Sequence, residues 1–180
     1  MTARLLNVYS AIGKELDSLA DVVSFGVAPS IIVFHMMKAS LFGTDHLPPI
    51  EYISFLEILF LLIPFLIAIL SGVRLAKFNL DERQSDSFIG LAVPANAIFF
   101  ASLYLVSCFS ENHSLITLIN NKYVLSVLVI IFSLLLVSEF PMFSLKIKSI
   151  GLQGNKIRYL FVVLSAILLI LLHTIAIPGI

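Results

Sequence analysis

The sequence predicts an all-α integral membrane protein, a bundle of about five transmembrane helices. Of its 180 residues, 59% are hydrophobic and 12% are charged, and the mean hydropathy is +1.07. Soluble domains carry about 25% charged residues, whereas an apolar run of about 18 or more residues is typical of a membrane-spanning helix. The formal net charge of +0 favours no nucleic-acid partner, and the single Cys108 excludes an internal disulfide.

Five apolar segments follow one another along the chain, and each is long enough to cross a bilayer or nearly so. The first contains "VVSFGVAPSIIVFHMM", the second "FLEILFLLIPFLIAIL" and the third "AVPANAIFFASLYLVSCF". The fourth contains "YVLSVLVIIFSLLLV" and the last "YLFVVLSAILLILLHTIAI". The predicted spans are roughly residues 18–38, 52–73, 88–109, 123–140 and 158–178. We expect one membrane domain over residues 1–180.

Lysine and arginine residues are distributed unevenly between the two sides of this predicted bundle. Two of them, Lys38 and Lys122, fall on one side, and the other nine fall on the opposite side: Arg4, Lys14, Arg74, Lys77, Arg83, Lys146, Lys148, Lys156 and Arg158. Cationic loops favour the cytoplasmic side of a membrane. The pattern therefore predicts a multi-pass protein of the cytoplasmic membrane, with the N-terminal stretch and loops 74–87 and 141–157 inside.

Two aspartates and a glycine stand four residues apart where the first segment begins. Gly13, Asp17 and Asp21 share one face of a helix because residues at i and i+4 are neighbours on its surface. Ionisable residues at membrane depth usually serve a function, although two carboxylates near a helix start are also favoured by the helix dipole. Carboxylates are hard oxygen ligands suited to Mg²⁺ or Mn²⁺.

The stretch "ARLLNVYSAIGKELDSLAD", residues 3–21, also places Ala3-Arg4 eight residues before the glycine. It resembles the second half of the CDP-alcohol phosphatidyltransferase signature, D-x2-D-G-x2-A-R-x8-G-x3-D-x3-D. The resemblance implies that Asp17 and Asp21 are metal ligands for Mg²⁺ or Mn²⁺ and that Asp21 is also the catalytic base. It further implies that Ala3, Arg4 and Gly13 face the nucleotide.

Four further stretches resemble the phosphatidylserine synthase branch of that family. They are "LDSLADVVSFGVAPS" (16–30), "RLAKFN" (74–79), "FIGLAVPANA" (88–97) and "SEFPMFSLK" (138–146). The branch usually has proline where this chain has Ala92, which raises a question about the local loop geometry. The resemblance implies phosphatidyl transfer from CDP-diacylglycerol to L-serine at a cytoplasmic site in contact with membrane lipid, by a protein that forms homodimers.

Several polar residues near the predicted cytoplasmic mouth are candidates for substrate binding. Arg74 suits a lipid phosphate or the serine carboxylate, although its position at a cytoplasmic helix end also explains its charge. Ser24 and Asn79 are further candidates. Glu57, in the second segment, is expected to pair between helices.

The first half of the family signature, Asp-x2-Asp-Gly, would fall immediately before Met1, because Met1 and Thr2 occupy the two free positions ahead of Ala3. We therefore expect the natural protein to extend upstream by two further helices, and this chain to be inactive alone. Three alternatives stay open: a degenerate family member, a family enzyme with another acceptor, and a non-enzymatic membrane bundle.

Overall fold

The structure, a computed structural model, describes residues 11–43, 47–80, 88–139, 141–142 and 178. The helices in this part of the chain are α1 (Ala11–Val22), α2 (Ala28–Phe42), α3 (Phe55–Leu62), α4 (Phe65–Leu80), α5 (Val93–Phe109), α6 (His113–Ile119) and α7 (Lys122–Val137). A π-helical segment, Val23–Val27, joins α1 to α2, and Ile50–Tyr52 form a 3₁₀ turn. Two strands of two residues each, β1 (Phe88–Ile89) and β2 (Pro141–Met142), pair antiparallel.

The predicted all-α membrane architecture is confirmed. Glu15–Phe42 and Phe55–Asn79 are each long and apolar enough to cross a membrane, and α6 with α7, bent by 60°, make a third span if they are counted together. The 17-residue helix α5 is apolar but shorter. Nearly all of the fifth predicted segment, 158–178, lies outside the described residues.

Two predicted boundaries were wrong. The third segment does not begin as a helix at residue 88, because Phe88–Ile89 form β1 and helix α5 starts only at Val93. The stretch between the predicted third and fourth spans, residues 110–122, contains helix α6. The start of α6 is capped by the Asn112 side chain, which accepts a hydrogen bond of 3.2 Å from the Leu115 backbone amide. Asparagine is a strong N-cap residue, and this local bond stabilises a short helix that hydropathy alone does not reveal.

Helix interruptions coincide with prolines or with capping side chains. Pro64 separates α3 from α4, because proline has no amide hydrogen for the helical ladder. Helix α3 begins with a capping box in which Ser54 N donates to Glu57 Oε2 at 2.8 Å and Glu57 N donates to Ser54 Oγ at 3.4 Å. The hydrogen bonds of Glu57 thus lie within its own helix, and Lys122 of α7 interacts with it electrostatically.

The core lies between α2, α4, α5 and α7. Val33, Ile67, Phe100 and Val129 belong to one buried cluster, beside which the ring of Phe99 stacks on that of Phe132, with centroids 3.9 Å apart. In lipid, such helix contacts are stabilised mainly by van der Waals packing. The buried cluster therefore marks the faces on which these four helices meet.

The helix ends sort into two groups, as the charge pattern predicts. At one end, which we call the aspartate end, α1 meets the end of α4, and the start of α5 meets the end of α7 through β1 and β2. At the opposite end, Ser107 and Asn120 exchange hydrogen bonds of 3.0 and 2.8 Å, and the Lys122 ammonium lies 5.6 Å from the Phe60 ring centroid. Helices α4 and α7 thus both run toward the aspartate end.

Candidate active site

Helix α1 carries the acidic motif out of the core at the aspartate end. Gly13 and Asp17 are exposed, Asp21 is half-buried, and Gly26 in the π-helical segment is buried. Burial therefore rises along this helix as it enters the bundle. The two carboxylates lie one helical turn apart on one face, as their spacing predicts.

Helix α4 lies beside α1 and runs antiparallel to it. The Asn79 side-chain amide donates to Ser18 Oγ at 2.9 Å, and a Cβ added to Gly26 would lie 3.1 Å from Ser71 Cβ. These two contacts are eight residues apart on each helix, which fixes the level of every residue between them. Arg74 consequently lies level with Val23, two residues beyond Asp21 on the way into the bundle.

Arg74 is buried, with 6% of its surface exposed, and its guanidinium carbon lies 5.8 Å from the Phe78 ring centroid. A guanidinium so close to an aromatic face gains a cation–π interaction, and its planar fork has the geometry that carboxylates and phosphates bind. Arg74 and Asn79 are thus both brought to the aspartate-bearing helix. The sequence predicts both of them as candidates.

The other candidates have mixed outcomes. Ser24 is exposed, about one turn beyond Asp21, and no hydrogen bond links it to α4 in the described part of the chain. Ala3 and Arg4 lie outside the described residues. Sequence reasoning missed Ser18, the partner of Asn79; its position between the two aspartates in "LDSLAD" was the available signal.

The stretches that begin α5 and end α7 are joined directly. Phe88 pairs with Met142 and Ile89 with Pro141, and the Leu91 amide donates to Leu135 O at 3.0 Å. Gly90 has φ +75°, and a Cβ on it would lie 2.6 Å from Ser138 O. Only glycine suits this position, because other residues rarely adopt such a φ and have no room for Cβ here.

Ala92 precedes α5 with φ −70° and ψ 132°. Proline holds φ near −65°, so the same backbone accommodates either residue. The departure from the usual family pattern at this position therefore leaves the loop geometry unchanged.

The residues of α1 fit a divalent cation. Mg²⁺ usually keeps several waters and binds proteins through one or two carboxylates together with substrate phosphates. Asp17 and Asp21 supply two such carboxylates on successive turns. Within the described ranges there is no group of three or more His, Cys, Asp or Glu side chains suited to a metal, so a site here would depend on substrate oxygens or on other parts of the chain.

Comparison with known proteins shows the family of the chain. The CDP-alcohol phosphatidyltransferase family profile matches residues 1–178. The chain belongs to the CDP-alcohol phosphatidyltransferase family. Enzymes of this family generally use a divalent metal.

Among characterised relatives, the chain is similar to proteins named CDP-diacylglycerol–serine O-phosphatidyltransferase. It is 37% identical to that of Helicobacter pylori strain J99 over 123 residues, which is 67% of this chain and 40% of the relative. It is 35% identical to that of Bacillus subtilis over 106 residues, 59% of this chain and 49% of the relative. It is 32% identical to that of Methanocaldococcus jannaschii over 148 residues, 81% of this chain and 57% of the relative.

The matched region thus spans about half the length of these relatives. No solved structure shows a significant match to the chain.

Proposed function

We propose that the protein to which this chain belongs transfers the phosphatidyl group of CDP-diacylglycerol to the hydroxyl of L-serine, giving phosphatidylserine and CMP. The observation that carries the proposal is that α1, with Gly13, Asp17 and Asp21 on one face, is bonded through Ser18 to Asn79 at the end of α4 that also carries Arg74. The relatives named CDP-diacylglycerol–serine O-phosphatidyltransferase support the same reaction.

In the proposed reaction, the Asp21 carboxylate takes the proton of the serine hydroxyl. The hydroxyl oxygen forms a bond to the β-phosphorus of CDP-diacylglycerol, the bond from that phosphorus to the CMP oxygen breaks, and CMP leaves with the electron pair. A positioned base typically contributes about 10²- to 10⁴-fold in rate. Asp17 and Asp21 would hold Mg²⁺ or Mn²⁺, which when bound neutralises pyrophosphate charge.

The remaining residues are assigned to binding. Arg74, which lies level with Val23, suits the lipid phosphate or the serine carboxylate, because a guanidinium donates charge-assisted hydrogen bonds to either. Asn79 and Ser24 are assigned to the same substrate site at the aspartate end. Arg4, with Ala3 and Gly13, is assigned to the nucleotide on the family resemblance.

We further propose that the protein lies in the cytoplasmic membrane with the aspartate end facing the cytoplasm. Arg74 and Lys77 lie at that end, whereas Lys38 and Lys122 lie toward the other. The water-soluble substrate serine would then enter from the cytoplasm. The family resemblance also implies a homodimer.

The test is a transfer assay with the whole protein to which this chain belongs, reconstituted in vesicles containing CDP-diacylglycerol and supplied with labelled serine. We expect labelled phosphatidylserine and an equal amount of CMP, and no product from the Asp17→Asn/Asp21→Asn double variant. Better use of glycerol 3-phosphate or inositol phosphate would assign another acceptor. No product with any acceptor would make this a non-catalytic member of the family.

A further inference from the structure

Three polar side chains in the bundle interior have no partner among the residues the structure describes. Ser71 and Asn96 are 0% exposed and Ser133 is 1% exposed. Both serine hydroxyls and both amide atoms of Asn96 lack a hydrogen bond within that part of the chain. Buried polar groups are almost always paired, and unpaired ones in an apolar bundle are costly, so their retention calls for an explanation.

These three residues, which we call the polar layer, lie at one level of the bundle. Each is four residues from a member of the buried cluster: Ile67 for Ser71, Phe100 for Asn96 and Val129 for Ser133. Helices α4 and α7 run toward the aspartate end and α5 runs away from it. All three polar side chains therefore lie one turn from the cluster on the side of the aspartates.

Three contacts confirm this common level. Asn96 of α5 falls between Leu91, which precedes the helix and whose amide donates to Leu135 O, and Phe99, whose ring stacks on Phe132. Asn96 therefore lies level with residues 132–135 of α7. The rings of Phe60 and Tyr123 are in contact, with centroids 5.7 Å apart. Ser71 follows that contact by eleven residues and Ser133 by ten, which is nearly the same helical rise.

The polar layer is directly beneath the candidate active site. Ser71 packs against Gly26, which follows Asp21 by five residues on the neighbouring helix. Arg74 follows Ser71 by three residues on α4 and is itself buried. From the aspartate end inward, the order is therefore Asp17, Asp21, Arg74 and then the polar layer.

We infer that the polar layer is the specificity pocket for the acceptor's amino group, an inference that rests on the proposed function. Asn96 Oδ1 and the two serine hydroxyl oxygens accept hydrogen bonds from the α-ammonium. Arg74 binds the α-carboxylate, and Asp21 receives the hydroxyl proton. The layer has hydrogen-bonding atoms but no charge, so it suits a small zwitterion whose carboxylate is held elsewhere.

The layer is enclosed in this structure, and Arg74 lies between it and the bundle end. When the acceptor binds, Asn96 Oδ1 and the two serine hydroxyl oxygens gain donors that the described part of the chain does not supply. An acceptor without an amino group leaves these oxygens without such donors. A site built in this way discriminates strongly against analogues that lack the bonded group.

The test compares serine with 3-hydroxypropionate, which keeps the hydroxyl and carboxylate but lacks the amino group. In the wild type we expect kcat/KM to favour serine. In Asn96→Leu we expect the serine KM to rise about tenfold or more, with kcat/KM for 3-hydroxypropionate and the KM for CDP-diacylglycerol within about twofold of wild type. Ser133→Ala, a smaller change, is expected to shift the serine preference in the same direction and serves if Asn96→Leu does not fold.

Thermal unfolding separates this role from a structural one. Replacing an unpaired buried amide by an apolar side chain of similar size removes a desolvation penalty, so the unfolding midpoint of Asn96→Leu should equal or exceed that of the wild type. The matched control is Ser102→Ala on the same helix, because the Ser102 hydroxyl already bonds Phe99 O at 2.7 Å. This control should leave the serine KM unchanged.

An unchanged preference for serine over 3-hydroxypropionate in both Asn96→Leu and Ser133→Ala would overturn the inference while leaving the proposed function intact. If the wild type forms no phosphatidylserine, the proposed function fails instead. In that case the unfolding midpoint, measured with and without serine, tests the pocket. An increase with serine in the wild type that is absent in Asn96→Leu supports the pocket. An equal shift in both, or none in either, contradicts it.

Discussion

The side-chain amide of Asn79 donates a 2.9 Å hydrogen bond to the hydroxyl of Ser18, which lies between the two aspartates of the acidic motif. The bond joins the end of α4 to α1 at the aspartate end. It opposes rotation of α1 about its own axis, and so fixes the direction in which Asp17 and Asp21 point relative to α4. The interhelical bond thus links a polar residue of "RLAKFN" to the acidic motif of the first segment.

We expect Ser18→Ala and Asn79→Ala to be coupled in stability. A hydrogen bond between neutral side chains typically contributes about 0.5–1.5 kcal/mol, so the double variant should be less destabilised than the sum of the single ones by roughly this amount. The measurement is a double-mutant cycle on the free energy of unfolding in detergent. Ser24→Ala, an exposed serine without a bond to α4, is the control, and strictly additive effects of Ser18→Ala and Asn79→Ala would contradict the coupling.

The two aspartates should differ in kinetic effect. Asp21→Asn removes the proposed base, so kcat should fall by about 10²- to 10⁴-fold while CDP-diacylglycerol binding is largely kept. Asp17→Asn should instead weaken both metal affinity and rate. Steady-state kinetics with varied metal concentration distinguish the two, and Glu15→Gln, an exposed carboxylate two residues from Asp17 on another face of α1, is the matched control. Near wild-type turnover in both variants would leave only the helix-dipole explanation of the aspartates.

Transfer should require a divalent cation. Excess EDTA is expected to abolish phosphatidylserine formation, and added Mg²⁺ or Mn²⁺ is expected to restore it. The carboxylates and the pyrophosphate are all negatively charged, so a divalent cation is needed to bring them together and neutralise that charge. Ca²⁺, which prefers more ligands at longer distances, serves as the control cation. Full activity in the presence of EDTA would eliminate the proposed role of Asp17.

Gly26 lies at the contact between the π-helical segment and α4, whereas Gly72 of α4 lies outside that contact. A Cβ on Gly26 would meet Ser71 Cβ at 3.1 Å and Ala68 Cα at 3.4 Å, whereas a Cβ on Gly72 meets nothing within 4 Å among the atoms described. We expect Gly26→Leu to destabilise by about 1–3 kcal/mol through overpacking. Gly72→Ala should be neutral or stabilising by up to about 1 kcal/mol, since alanine is the better helix former. Equal unfolding midpoints for these two variants would show that close packing at Gly26 is unimportant.

A second glycine pair tests the junction between α5 and α7. Gly43 and Gly90 both have positive φ, +67° and +75°, but of the two only Gly90 has a close neighbour, because a Cβ there would lie 2.6 Å from Ser138 O. Gly43→Ala should cost about 1–2 kcal/mol from the left-handed backbone alone. Gly90→Ala should cost more, because the carbonyl must also shift. Thermal unfolding of both variants measures the difference. An equal loss of stability would mean that the Ser138 carbonyl moves away from the new Cβ at no cost.

Much of the site was predictable because its signals are local. Gly13, Asp17 and Asp21 share a helix face through their spacing alone, and the positions of Arg74 and Lys77 indicated that the end of α4 would meet α1. The short helix α6 and strand β1 were missed, because capping by Asn112 and pairing with β2 depend on single side chains or on distant segments rather than on hydropathy.

The sequence by itself determined the membrane class, the family and the end of the bundle at which the acidic motif lies, since composition, motif spacing and charge distribution are properties of the chain read in order. Only the tertiary structure decided that Ser18 pairs with Asn79 and that Ser71, Asn96 and Ser133 share a level beneath Asp21. These relationships depend on how far each helix is rotated and shifted against its neighbours. Side-chain packing between helices sets that rotation and shift, and no local pattern encodes it.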